Sequence, residues 1–154
     1  MAKRSAGVLI YRRQGGKIEV LLVHPGGPFW SARDAGAWSI PKGEYGDDEE
    51  PEAVARRELL EETGWTLHGE LTPIGTITQG GGKIVNGFCA EGDFDVATLV
   101  SNNFEMEWPP RSGRRQSFPE VDRAAWFPLD EAGEKVNVGQ RAFLDRLAAV
   151  ISQG

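Results

Sequence analysis

The chain has 154 residues and a formal charge of −6, with 17 Lys and Arg against 23 Asp and Glu. A composition that is 40% hydrophobic and 26% charged supports one folded domain over residues 1–154 rather than a disordered chain. The acidic balance argues against unspecific nucleic-acid coating, the single cysteine (Cys89) excludes an internal disulfide or a thiolate zinc site, and two histidines (His24, His68) exclude a His-rich metal site.

A bound metal should therefore be a hard ion on carboxylates. No apolar run approaches the ~20 residues of a membrane span. The stretch Ala6–Tyr11 runs into Arg12-Arg13 and is too short for a signal segment. The expectation is a cytoplasmic protein with no membrane partner and no stable nucleic-acid partner.

In chain order, Ala6–Tyr11 and Lys17–His24 are apolar and β-branched around Gln14-Gly15-Gly16, which predicts a hairpin. Residues 25–36 carry many breakers and read as a loop, and Ala37–Pro41 as a short strand. Pro51 suits the first turn of a helix that runs to about Thr63 and stops at Gly64. Three apolar stretches follow, Thr66–Thr78, Lys83–Ala90 and Val121–Phe127, the first two flanking Gly80-Gly81-Gly82. Ser101–Ser117, with its prolines, asparagines and arginines, reads as an irregular loop. Asn137 is a plausible cap for a last helix whose stripe is Phe143, Leu147 and Val150 with Leu144, Ala148 and Ile151. Strands before, between and after two helices predict an α/β fold with a mixed sheet.

The informative segment is Gly43–Trp65. At about 100° per residue, Glu58, Glu61 and Glu62 share one face of the helix, with Leu59 and Leu60 expected on the inward side. Like charges at three- and four-residue spacing repel, and the helix C-terminus disfavours them further. A solvated acidic face is the plain explanation. A divalent cation held by the carboxylates is the functional one.

Gly43, Glu49 and the run Arg57-Glu58-Leu59-x-Glu61-Glu62-x-Gly64 together resemble the signature of the Nudix hydrolases, with Trp65 where an aliphatic residue is usual. The resemblance implies an α/β/α sandwich and Mg²⁺-dependent hydrolysis, with Mn²⁺ as the alternative ion, of a nucleoside diphosphate joined to another group. It marks Glu58, Glu61 and Glu62 as metal ligands together with the Gly43 carbonyl. It gives Arg57 a structural pairing with Glu49, and gives Gly43 and Gly64 unusual backbone angles. Glu61 or Glu62 could be the catalytic base, as could Glu120, which sits where the family draws a glutamate from a loop before a late strand; Asp122 is a less favoured substitute.

Lys42, beside the motif glycine, and the trio Arg111, Arg114 and Arg115 are candidates for phosphate contacts, set against the alternative of a solvated surface. Trp30, Trp38 and Trp108 are candidates for stacking on a base, with Trp30 and Trp108, in expected loops, the better placed. Trp65 and Trp126 read as core, His24 as structural, and Cys89 as a buried small hydrophobe.

Pro41-Lys42-Gly43 is similar to the entry of family members that cleave dinucleoside polyphosphates or diphosphoinositol polyphosphates, and the net charge of −6 with few lysines makes the inositol compounds less attractive. That favours a dinucleoside polyphosphate as the small-molecule substrate, with a nucleoside triphosphate next. An RNA 5′ end and a non-catalytic nucleotide-binding domain are the alternatives. The family's dimers make a homodimer compatible with the resemblance.

Overall fold

The computed structural model describes residues 3–153. Strands β1 (Arg4–Gln14) and β2 (Lys17–Pro25) form the expected hairpin, closed by Gly15 and Gly16 at φ 59° and 81°. Two glycines at positive φ match the twist that a two-residue turn needs. Strand β3 (Lys42–Glu44) and helix α1 (Pro51–Thr63) come next, followed by β4 (Thr72–Gln79) and β5 (Lys83–Glu91). Strands β6 (Asn103–Glu107), β7 (Arg115–Pro119) and β8 (Val121–Pro128) precede helices α2 (Leu129–Lys135) and α3 (Arg141–Gln153).

The main sheet runs β4-β5-β1-β2-β8, with β1 and β5 parallel, the other pairs antiparallel, and β3 added to the start of β1. Because side chains alternate along a strand, β1 feeds two cores. Val8 and Ile10 join Leu21, Phe88 and the α1 residues Val54, Ala55 and Leu59; Leu9 joins Val20, Leu22, Val85 and the α3 residues Phe143 and Leu147. The result is an α/β/α sandwich.

β1 and β2 pair only from Ile10 to Gln14, then diverge. The chain before β3 fills the wedge: Pro41 O accepts from Val8 N at 3.1 Å, and Ser39 O accepts from Val23 N at 2.8 Å. This places β3 between the N-terminal half of β1 and the C-terminal half of β2, directly beneath α1.

Several expectations need correction. Ala37–Pro41 is not a strand; Ser39 and Trp38 make isolated bridges to Val23 and Val136, and the strand starts at Lys42. Pro41 has no N–H to donate to a ladder. The strand expected from Thr66 starts only at Thr72, although Leu67 and Leu71 are buried ahead of it. Ser101–Ser117 is not irregular: β6 and β7 pair over five residues as a separate ribbon, and its prolines and first arginines fall in the turn. Helix α2 was not anticipated. Asn137 caps a 3-10 turn, accepting from Gly139 N, rather than α3 itself. Trp65 and Trp126 pack against the core as expected, though half-buried at its edge beside Phe94.

Helix α1 ends as expected, with Gly64 at φ 80° and its N–H on Leu60 O. Its inward face differs. Ala55, Leu59 and Thr63, spaced by four, define the buried row, which leaves Leu60 exposed on the far side and turns Glu62 inward. Leu60 lies about 100° from Leu59, on the side of the helix away from Val54, Ala55 and Glu62, and so falls outside the buried stripe.

Candidate active site

Three elements meet at the acidic end of α1. The Glu58 side chain lies over β3 at Gly43, and any Cβ at Gly43 would overlap its carboxyl group. Gly43 is therefore needed for close approach; its φ is not in the positive region, contrary to the expectation of an unusual backbone angle. Glu62 is buried, facing the Lys42 main chain. Glu61 is partly exposed and shares a hydrogen bond with Glu58. The three carboxylates thus differ in burial: Glu62 faces inward, Glu58 is largely covered and Glu61 stays open to solvent.

The fourth acid arrives from the segment between β7 and β8. Glu120 N donates to Asn102 O at 2.8 Å, Asn102 N donates to Glu61 O at 2.8 Å, and Gly26 N donates to Glu120 O at 2.9 Å. These backbone bonds fix Glu120 to the C-terminal turn of α1. Glu120, Glu62, Lys42, Val23, Ser39 and Ile40 line one cavity of about 230 Å³. The Asn102 clamp had no signal in the sequence, because only its main chain acts. A larger, shallow depression of about 590 Å³ between α2 and α3 lies away from these acids.

The electrostatics follow from crowding. Burial, then Glu61, push the Glu58 carboxyl up to about 7. Burial and the neighbouring Glu58 and Glu120 hold Glu62 well above the usual carboxylate range, and burial and Glu61 raise Glu120. Lys42 is half-buried beside Glu62, and burial lowers its ammonium pKa. Arg57 is the counter-charge: its Nη1 is 2.7 Å from Glu49 Oε2, and its Nε is 3.6 Å from Glu58 and 3.9 Å from Glu61. Glu49 also accepts from Gly46 N at 3.0 Å, closing the loop ahead of the helix, and the Arg57 bond keeps its carboxyl below the usual value.

Acids gathered at a helix C-terminus with one guanidinium between them leave a net negative cleft built of oxygen donors. That donor set suits a hard divalent cation such as Mg²⁺ or Mn²⁺. Among the described residues no three such groups already converge at metal-bonding distance.

The remaining candidates lie elsewhere. Arg111, Arg114 and Arg115 are exposed on the turn and first residue of the β6–β7 ribbon, and Trp108 is beside them. Trp30 is on the loop after β2, 39% exposed, with Arg33 over its ring at 5.4 Å. Asp122 is outside the cluster: its Oδ1 is 2.8 Å from His24 Nδ1, while His24 Nε2 is 2.6 Å from Arg33 O, so His24 is a buried structural side chain. Cys89 is buried and free.

The model of the NUDIX domain matches residues 1–147. The chain belongs to the Nudix family. As a Nudix hydrolase it acts on pyrophosphate bonds, and known Nudix structures share its fold. A binary complex of a C. elegans Ap4A hydrolase superposes with a TM-score of 0.69 at 24% identity, covering 97% of this chain and 99% of that one. The NUDIX domain of Shewanella oneidensis NrtR, complexed with ADP ribose, gives 0.67 at 15% identity, with 98% and 89% covered. RenU, a Nudix hydrolase from M. smegmatis, gives 0.61 at 25% identity, with 97% and 85% covered. Among the described residues no helix is long and apolar enough to cross a membrane.

Proposed function

We propose that this Nudix protein is a Mg²⁺-dependent pyrophosphohydrolase that cleaves a nucleoside diphosphate linked to another group, a dinucleoside polyphosphate first and a nucleoside triphosphate next. The observation that carries the reading is a cavity lined by Glu62, Glu120 and Lys42, with Glu58 and Glu61 of α1 close enough to raise the pKa of those acids. Glu58, Glu61 and Glu62, with the Gly43 carbonyl, would hold the divalent ion, which supplies charge neutralisation of the phosphates and acidification of a water.

The chain's own groups do the rest. Glu120, or Glu61 or Glu62 where it is free of the ion, accepts the proton of the attacking water. The water oxygen bonds to phosphorus, the bridging P–O bond breaks, and the leaving phosphate carries the electron pair away. Lys42 is placed to meet a non-bridging phosphate oxygen. The name of the C. elegans neighbour and the Pro41-Lys42-Gly43 entry both support the dinucleoside class.

The test is a product assay with Mg²⁺ on diadenosine tetraphosphate, canonical and oxidised nucleoside triphosphates, ADP-ribose and 5′-triphosphorylated RNA, with Glu61→Gln as control. Rapid cleavage of one class, lost in the control, is expected. Tight nucleotide binding with no turnover anywhere would instead favour a non-catalytic domain.

A further inference from the structure

Outside the carboxylate cleft, an aromatic and cationic track runs along the β6–β7 ribbon. The loop after β2 is laid along the β6–β7 ribbon from root to tip. At the root Gly26 N donates to Glu120 O at 2.9 Å, and a Cβ at Gly26 would overlap the Pro119 carbonyl. Midway, a Cβ at Gly27 would lie 3.0 Å from the Phe104 ring. At the tip Phe29 and Trp108 meet edge to face, centroids 5.3 Å apart.

Beyond that contact Phe29 is 61% and Trp30 39% exposed, though neither is needed by a core. Arg111, Arg114 and Arg115 are at the same end of the ribbon as Trp108, whose backbone N–H donates to Arg114 O at 2.9 Å. Among the described residues none of the three makes an ion pair; Glu107, opposite Arg115 in the ribbon, uses its carboxylate oxygens on the Arg111 and Gly113 N–H groups at 3.0 and 3.2 Å. Unpaired guanidinium groups near exposed aromatic rings suit a ligand that carries both phosphates and a base, which on Trp30 would take the place of the Arg33 guanidinium 5.4 Å from the ring centroid.

The root of the track is bonded to the cleft and its tip is not. At about 3.3 Å per residue, the five-residue ribbon separates the two by roughly 15 Å. A nucleotide held by its α-phosphate at the carboxylates would fall short of that distance with its own base. A second nucleoside at the end of an extended polyphosphate bridge would.

We propose that the ribbon and the loop after β2 form a platform for the distal nucleoside of a dinucleoside polyphosphate, its base stacking on Trp30, Phe29 or Trp108 and its bridging phosphates running past Arg114 and Arg115. The platform rests on the hydrolase reading for the identity of the reacting end, and makes bridge length the property that the protein selects. An RNA 5′ end would share the base and phosphates, but the net charge of −6 disfavours a long polyanion.

The experiment measures affinity without turnover. Methylene-bridged analogues of diadenosine tetraphosphate and of ATP are titrated in Mg²⁺ by calorimetry into the wild type and into Trp108→Ala, Trp30→Ala and Arg114→Gln, with Trp108→Phe as the conservative variant. Loss of a base stack corresponds to roughly five- to a hundredfold in affinity. The wild type should prefer the dinucleoside at least tenfold, the preference should collapse to about twofold in Trp108→Ala or Trp30→Ala, and Trp108→Phe should retain most of it. Equal affinities in the wild type, or a preference that survives every variant, would overturn the platform. So would tighter, Trp108-dependent binding of a 5′-triphosphorylated oligonucleotide, which would assign the track to RNA. A preserved preference with no hydrolysis in the product assay would remove the hydrolase reading and leave the platform standing.

Discussion

Helix α1 and the β6–β7 ribbon represent two ways of building a site. The helix is set on a core: Val54, Ala55 and Leu59 are buried against β1 and β5, so its glutamates are held by packing that owes nothing to them. The ribbon is outside the main sheet, joined to it by main-chain bonds at Asn102, Glu120 and Gly26, and its tip is exposed. Chemistry that depends on tenths of an ångström sits on the first, and recognition that tolerates adjustment suits the second. Glu120 belongs to both, being the residue where the ribbon is pinned to the helix.

The sharpest way to break this contrast is to remove charge from the helix alone. Glu61→Gln should lower kcat by at least a hundredfold at unchanged melting temperature, measured on whichever substrate the panel selects. Gly43→Ala should come close behind, since the new methyl displaces the Glu58 carboxyl from β3. A kcat within about threefold of wild type for Gly43→Ala would show that the Glu58 position does not matter.

Stability separates the helix's two leucines. Leu59→Ala should cost about 3 kcal/mol in urea melts, because it empties a filled core, whereas the exposed Leu60→Ala should cost under about 0.5 kcal/mol. Equal costs would mean that the helix is rotated from the orientation described here.

A smaller effect concerns pH. Glu58 carries a pKa of about 7 when folded, above its ordinary 4.5, so the folded protein keeps a proton that the unfolded chain releases. That contribution is complete below about pH 4.5 and is lost as pH rises through 7. Without divalent ions, the melting temperature should fall between pH 5 and 8, and Mg²⁺ at pH 8 should restore it. Glu58→Gln should flatten the slope; an unchanged slope would place its origin elsewhere. The smallest effect is on the flank, where Lys42→Gln should raise KM several-fold with kcat nearly unaffected.

The helix was legible in the sequence because its information is local. Pro51, Gly64 and the glutamate spacing are read within one element, and Arg57 finds Glu49 eight residues away. The inward turn of Glu62 was not legible, since which side of α1 faces the sheet depends on the row Ala55, Leu59 and Thr63 meeting strands distant in sequence. The ribbon was misread for a related reason: its breakers cluster in the turn, and the alternation that makes β6 and β7 pair, Phe104 against Phe118, spans only five residues per strand. The Asn102 clamp is backbone chemistry that no side chain announces.

The most direct measurement is Mn²⁺ binding followed by the loss of its free electron-spin-resonance signal at pH 7.5, in the wild type and in the Glu58→Gln/Glu61→Gln double variant. The wild type should deplete the free signal and the double variant should not, with both proteins melting as folded. Equal depletion by both proteins would contradict the assignment of the acidic face of α1 as the metal centre of a hydrolase.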